Sequence, residues 1–364
     1  MAYKYLPFYE TQAFCIKVFQ GYGFDEEDSR RITEVLLEAD LSGIESHGIQ
    51  RLTRYDYEIR SGFVKIGSEP EIVYETPISA VMDGHDGMGQ IIGVKAMDLA
   101  IRKASLAGIG IVTVRDSNHY GIAGYYANMA AKKHLIGISM TNSESIMVPT
   151  YGKEPVLGTN PIAFAMYAEP VPFCFDAATT VVPRGKLEVY AKRGSGLPDG
   201  WAIDETGRPS SDSDRVLKNI INKSCGGILP LGGAGEQTGG HKGYGFGMIC
   251  EIMTGILSHG CTSNHVNRTP GRINTSQCFI ALDYGIFGDK AETEARLSTF
   301  LDEIRQAAKA DGEQRIYIHG EKEFERHEKV LRDGIPVNEK TYEEMIRIGK
   351  QTGAADLLPK YVNR

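Results

Sequence analysis

The chain has 364 residues, 41% hydrophobic and 24% charged, enough for a large buried core divided among two or three structural units. Its net charge is -7 and it carries no long basic run, which argues against nucleic acid as the main partner and means that an anionic substrate needs local Arg or Lys. The segment MAYKYLPFYETQ lacks a secretory pattern, no apolar run is long enough for a bilayer, and the six cysteines include no CxxC pair, so no membrane association and reduced thiols in the cytoplasm are expected.

The first clear element is a helix over Asp25 to Ser42. Asp25 can cap it with Asp28 in the capping-box position, and Ile32, Val35, Leu36 and Ala39 share one face. It runs into the polar string Glu45-Ser46-His47-Gly48. An α/β stretch follows, with a helix over Ile91 to Ala107, a β-branched strand over Ile109 to Val114, a helix over Gly124 to Lys133 and a short strand over Ile136 to Met140. Both strands end in polar clusters, Asp116-Ser117-Asn118-His119 and Thr141-Asn142-Ser143, the usual place for ligand-binding loops in α/β layers. Residues 193–241 read as glycine-rich loops and extensions, Lys242 to Leu257 as helix, 260–276 as an exposed loop, and Ala291 to Ala310 and Thr341 to Thr352 as helices. In the first of these last two, Leu297, Phe300, Leu301 and Ile304 lie on one side.

Familiar signatures are missing. No GxGxxG occurs in a strand–turn–helix context, Gly185-Lys186 lacks the Ser or Thr of a Walker loop, and there is no HExxH or GxSxG. His259, Cys261 and His265 read as incidental loop residues, so no metal is expected. Three strings carry chemistry. His47 and Arg51, four apart, share a face on a helical turn. A guanidinium can clamp a 2-oxo acid's carboxylate while an imidazole moves the proton on the neighbouring oxygen. A surface turn with unrelated side chains is the blander reading of that spacing. His119 follows a strand directly, where it is either a cleft residue or a satisfied structural histidine. Gly239-Gly240-His241-Lys242-Gly243 opens a helix, with free N–H groups and a lysine for a phosphate, or is a plain glycine turn.

Together with further blocks, these strings resemble the non-Rossmann malate/L-lactate dehydrogenase family, which includes malate, sulfolactate and ureidoglycolate dehydrogenases. The resemblance is carried by ADLSGIESHGIQRLTRY (39–55), DSNHYGIAGYYA (116–127), GISMTNS (137–143), LGTNPIAFA (157–165), FDAATTVVPRGK (175–186), LPLGG (229–233), GGHKGYGFG (239–247) and RIYIHGE (315–321). It implies an α/β, non-Rossmann nicotinamide-binding fold, with a central sheet flanked by helices. A mainly helical domain is built from 1–75 packing with 290–364, and 76–289 form the cofactor-binding domain with the extension at about 193–241. The implied activity is hydride transfer between NAD or NADP and a small 2-oxo/2-hydroxy acid of malate, lactate or sulfolactate type, in a homodimer with the active site at the subunit boundary.

By the same resemblance, His119 and His47 match the two histidines proposed as proton donor/acceptor, and Ser46 and Arg51 match substrate contacts. Ser143, Asp176, Ala177, Ala178, Lys242, Gly243, His319, Gly320 and Glu321 match cofactor contacts. There are departures. Several members have Pro-Gly-Glu where this chain has His319-Gly320-Glu321, so an N–H that proline would remove is kept. The ureidoglycolate enzymes have His-Ser-Gly where this chain has His119-Tyr120-Gly121, which tilts the reading toward the malate/sulfolactate branch. The alternatives are a ureidoglycolate dehydrogenase, a cyclic imino acid reductase and, in another class, a non-catalytic ligand-binding homologue.

Overall fold

A computed structural model describes residues 3–362. The amino-terminal part is mainly helical, with β1 (Lys4–Leu6), α1 (Phe8–Tyr22), α2 (Glu26–Leu41) and α3 (Leu52–Arg60). α2 begins where its cap predicts: the Asp28 N–H donates to the Asp25 carboxylate at 2.8 Å, an interaction usually worth about 1 kcal/mol. Its apolar residues serve two cores. Ile32 and Leu36 join the helical cluster, and Val35 joins the sheet's cluster.

The sheet-forming part contains β2 (Glu71–Glu75), β3 (Ser79–Asp83), α4 (Gly89–Ala107), β4 (Ile109–Ser117), α5 (Ala123–Ala131), β5 (Ile136–Thr141), β6 (Ile162–Met166) and β7 (Phe173–Ala177). Next come α6 (Arg184–Arg193), β8 (Ala202–Ile203), α7 (Ser213–Ile221), β9 (Gly227–Ile228), α8 (Gly240–Glu251) and β10 (Thr275–Leu282). The chain continues through α9 (Lys290–Gln306), α10 (Glu321–Asp333), β11 (Ile335–Val337) and α11 (Glu339–Thr352). The seven-stranded sheet has the order β2-β3-β4-β10-β5-β6-β7. Only β3 and β4 pair in parallel, joined through α4; the other pairings are antiparallel. This is an α/β fold, and its mixed sheet is unlike the parallel, doubly wound sheet of a Rossmann domain. α4 and α5 cover one face with Met97, Ala100, Tyr126 and Ala127. α8 and the π-helical turn Ile252–Ile256 that continues it pack on the other face, against Met140 and Cys278.

Four expectations need correction. The stretch 193–241 is not all loop: α7, capped by the Asp212 carboxylate, buries Val216 and Ile220 against a separate small sheet of β8 and β9. The predicted helix over Lys242 to Leu257 changes to π-helix after Glu251. The polar stretch 260–276 is partly inside, since Ser263, Val266 and Asn274 are buried and residues 275–276 already belong to β10. Finally, α10, β11 and α11 pack with the amino-terminal helices, while Leu301 of α9 packs with Ala168 and Ile318, with Phe173 of β7 alongside. Among the described residues no helix is long and apolar enough to cross a membrane.

Candidate active site

Two segments from different parts of the fold meet in one cleft. The first leaves the carboxyl end of α2. Expected as a single helical turn, residues 45–51 form two short 3-10 turns, Glu45–His47 and Ile49–Arg51, separated by Gly48 in extended backbone. Asp40, buried at the end of α2, sets that break. Its carboxylate accepts the Ile49 N–H at 2.7 Å, and Gly48 lies so close to it that an added methyl would overlap the carboxylate. The Ser46 hydroxyl shares a hydrogen bond of 2.9 Å with His47 Nδ1, and Arg51 Nε donates to the Ser46 carbonyl. Ser46, His47 and Arg51 therefore act as one folded unit.

The second segment leaves β4. Asn118 anchors it by donating to the carbonyls of Asp86 and Gly87, both at 2.9 Å, and Gln277 of β10 donates to the Asn118 carbonyl at 3.0 Å. Gly121, at φ 86°, packs on Val35 of α2, where a Cβ would approach to 2.8 Å. These ties bring His119 to the first segment. The imidazoles of His47 and His119 stack with centroids 5.6 Å apart and planes 22° from parallel.

Neither imidazole is charged at neutral pH. Burial, followed by Arg51 and Arg54, lowers His47 to about 4. Burial, then Arg54, His47 and Arg51, pulls His119 well below the ordinary value. Arg54, absent from the sequence reading, is the second guanidinium of the cleft. Its Nε donates to Glu58 at 2.6 Å, and it stands three residues after Arg51. Each arginine is held by Nε, Arg54 within an ion pair to Glu58, and among the described residues no hydrogen bond is made by the terminal nitrogens of either. Burial, then the neighbouring Arg54, pulls Arg51 below its usual value, while Glu58 raises Arg54 against its burial.

The residues matched to cofactor contacts fall into two groups. One is a ladder of backbone and hydroxyl bonds. Thr159 N–H donates to Ser143 Oγ at 3.1 Å, Thr179 N–H to the Thr159 carbonyl at 2.9 Å, and Leu231 N–H to the Thr179 carbonyl at 2.8 Å. Gly243 packs so tightly on Leu231 that it admits no side chain. The ladder thus runs from Ser143 past Ala177 and Ala178 to the amino end of α8. There Gly239 adopts φ 87° and Lys242 is exposed. Such an end suits an anionic diphosphate, because the N–H groups of Gly240 and His241 precede the first helical bond, which Lys242 N–H makes to the Gly239 carbonyl at 2.9 Å, and the Lys242 side chain adds charge. Asp176 accepts the Gly124 N–H at 2.6 Å. It is exposed, while surrounding protein raises its carboxyl above the usual range against the pull of that N–H.

The other group lies along the edge strand β7. The Cys174 N–H donates to the His319 carbonyl at 3.1 Å, and the His319 ring meets the edges of Phe173 and Phe175 at 5.8 and 5.3 Å. Gly320, at φ 101°, allows the close pass over Pro172. The Glu321 carboxylate points inward, taken up by Arg305 at 2.6 Å, Arg315 at 2.9 Å and the Ile318 N–H at 3.0 Å. Its side chain braces the turn, leaving His319 as the exposed group there. Among the described residues no three ligating side chains are grouped to hold a metal.

Comparison with known proteins gives one answer. The family model described as malate/L-lactate dehydrogenase matches residues 6–346. A malate dehydrogenase of Pyrococcus abyssi is 46% identical over 98% of this chain and 97% of its own length. An L-sulfolactate dehydrogenase of Methanocaldococcus jannaschii is 36% identical over 93% and 94%. The crystal structure of malate dehydrogenase from Entamoeba histolytica superposes with a TM-score of 0.93 at 35% identity, covering 97% of this chain and 99% of that one.

Proposed function

The chain belongs to the malate/L-lactate dehydrogenase family and is an oxidoreductase of hydroxy acids, and from that premise we propose that it moves a hydride between NAD or NADP and C2 of a dianionic 2-hydroxy acid. The observation that carries this reading is the pair of guanidiniums beside two neutral imidazoles. Malate and sulfolactate, named for the relatives, each bear a second acid group one carbon beyond C2. Arg51 takes the C1 carboxylate and Arg54 the distal anion, each through its free terminal edge. Arg54, already paired with Glu58, brings further donors to the distal anion rather than a second unpaired charge. His119 exchanges the proton of the C2 oxygen, and His47 backs it by stacking. When bound, a nicotinamide would supply the hydride acceptor or donor; Ser143, Asp176, Lys242 and the exposed His319 turn are the residues that would hold the dinucleotide.

The test is selectivity. Arg54→Gln should raise KM for malate by about 10- to 100-fold, the range of a lost charge-assisted hydrogen bond. KM for lactate, which has no distal acid, should change less than about threefold. Equal losses on both substrates would remove Arg54 from the distal subsite.

A second copy belongs to this reading. Phe246, Ile249, Ile252, Ile256 and Leu257 of α8 and its π-helical continuation are exposed, and Ile111, Ile138, Ile162 and Ile280 on the same sheet face are only partly buried. An apolar stripe of this kind marks an interface, and a homodimer covers it. Ile252→Glu should shift sedimentation from the dimer to the 40.0 kDa protomer; a monomeric parent enzyme would refute the dimer. The free cysteines suit a reducing compartment, and we place the enzyme in the cytoplasm.

A further inference from the structure

Glu58 stands in the last turn of α3, four residues after Arg54, and is buried. Its Oε1 accepts Arg54 Nε at 2.6 Å, while its Oε2 is buried without a hydrogen-bond partner. For stability alone the residue is badly placed. The carboxyl end of a helix favours cations over anions, a buried carboxylate is costly to desolvate, and an unmade buried hydrogen bond adds to that cost. A methionine of similar volume would avoid all three, so the carboxylate calls for an explanation outside the fold.

The geometry of the ion pair supplies one. Glu58 engages Nε, and the Arg54 side chain is 36% exposed against 7% for that of Glu58. The carboxylate therefore lies on the protein side of the pair. The terminal nitrogens of Arg54 make no hydrogen bond and are not buried. Glu144, the other carboxylate that acts on Arg54, is itself paired with Lys223 at 3.0 Å, so Glu58 is the counter-ion dedicated to Arg54.

We propose that Glu58 is a positioning residue that presents the terminal nitrogens of Arg54 to the cleft and cancels its charge, so that the distal group of the substrate is recognised by its hydrogen-bond acceptors and not by a second net positive charge. The inference rests on the distal subsite assigned to Arg54 above, and it widens the substrate class of that subsite. A distal carboxylate or sulfonate fits, and so does a neutral carboxamide, whose oxygen accepts from the same nitrogens. Glu58 also repels a distal anion across the guanidinium. Removing its charge without moving Arg54 strengthens the hold on a dianion and leaves a monoanion unaffected.

The experiment is steady-state kinetics of the full enzyme on malate, lactate and the malate monoamide whose distal acid is a carboxamide. In the parent, KM for the monoamide should lie within about tenfold of that for malate. In Glu58→Gln the new amide oxygen still accepts Arg54 Nε, so the pose is kept and the charge is lost. KM for malate should fall by about 3- to 10-fold, while KM for the monoamide and for lactate changes by less than about twofold. In an Arg54→Gln background the same substitution should leave KM for malate within about twofold, because its effect runs through the guanidinium. A merely structural role would shift all three substrates together. The proposal is overturned by a Glu58→Gln enzyme with the parental malate-to-monoamide ratio or a shift in favour of the monoamide. A parent that rejects the monoamide by more than about tenfold overturns it without any variant. Arg54→Gln separates the two layers. Equal losses on malate and lactate remove the distal subsite and Glu58 with it; a selective loss on malate, with no change of ratio in Glu58→Gln, removes Glu58 alone.

Discussion

His119→Ala should lower turnover by about 100- to 10,000-fold, the usual contribution of a positioned general acid or base, with little change in substrate KM. His47→Ala should cost about tenfold or less, because it supports the ring without exchanging the proton. The electrostatics add a pH signature. Oxidation needs His119 neutral, and burial with Arg54, His47 and Arg51 keeps it neutral well below its ordinary value. The acid limb of kcat/KM for hydroxy-acid oxidation should therefore lie clearly below the free-imidazole value of about 6.5. Reduction needs the protonated ring and should decline as pH rises. A pH–rate profile in both directions checks the pair, and an oxidation limb at or above 6.5 would contradict it. Stability follows the same sign. His47 is held at about 4 in the native state, so an unfolded chain takes up protons that the fold refuses. Its contribution is whole above about pH 6.5 and fades as pH falls toward 4.

Gly48→Ala should be the most damaging conservative change in the site. The backbone there, at φ -86° and ψ -148°, is open to alanine, so the effect is one of packing: the new methyl overlaps the buried Asp40 carboxylate. Overpacking of this kind costs about 1–3 kcal/mol. Because the turn delivers both His47 and Arg51, kcat/KM should fall by about 100-fold, as expected for a misplacement of about 1 Å. Asp40→Ala removes the obstacle along with the acceptor for Ile49. The double variant should recover part of the loss, a non-additivity that a cycle of unfolding and kinetic measurements would show; strict additivity would refute direct contact as the cause. Asp40 has the opposite linkage to His47. Burial raises it to about 8 against the pull of the Ile49 N–H, so the fold must hold it protonated. Its contribution is lost as pH rises from about 4 toward 8, and Asp40→Asn should be more stable than the parent near pH 8.

Much of this was legible because local signals and tertiary use agreed. The cap at Asp25 and the stripe from Ile32 to Ala39 define α2, and the β-branched run after Ala107 defines β4. The cleft was half legible. His47, Arg51 and His119 stand in recognisable strings, but Arg54 and Tyr55 lie on α3 beyond the two 3-10 turns, and Tyr55's partner His119 is 64 residues away. Only the Arg51-x-x-Arg54-Tyr55 spacing hinted at a shared face. Glu321 shows what a string cannot tell: it stands in a block matched to cofactor contacts, and two arginines draw its carboxylate inward. α7 was hidden by glycine-rich neighbours. β10 was missed: Thr275 and Ser276 fell in the stretch read as an exposed loop and 277–282 was read as no element, although Thr275, Ser276 and Gln277, at 6%, 0% and 0% exposure, are strand interior, with Ser276 and Gln277 bonded to the ends of β5 and β4.

That late strand governs how the molecule comes to exist. β4 and β5 have no bond to each other; each waits for β10, which leaves the ribosome well over a hundred residues after them. Until residue 282 has emerged, the nascent sheet carries a slot down its middle with two unsatisfied edges, vulnerable to sticking to other chains. Loop closure over such a span is slow. A ribosome stalled before Leu282 therefore holds a chain in which the ends of β4 and β5 have been made but not yet joined through the strand that lies between them.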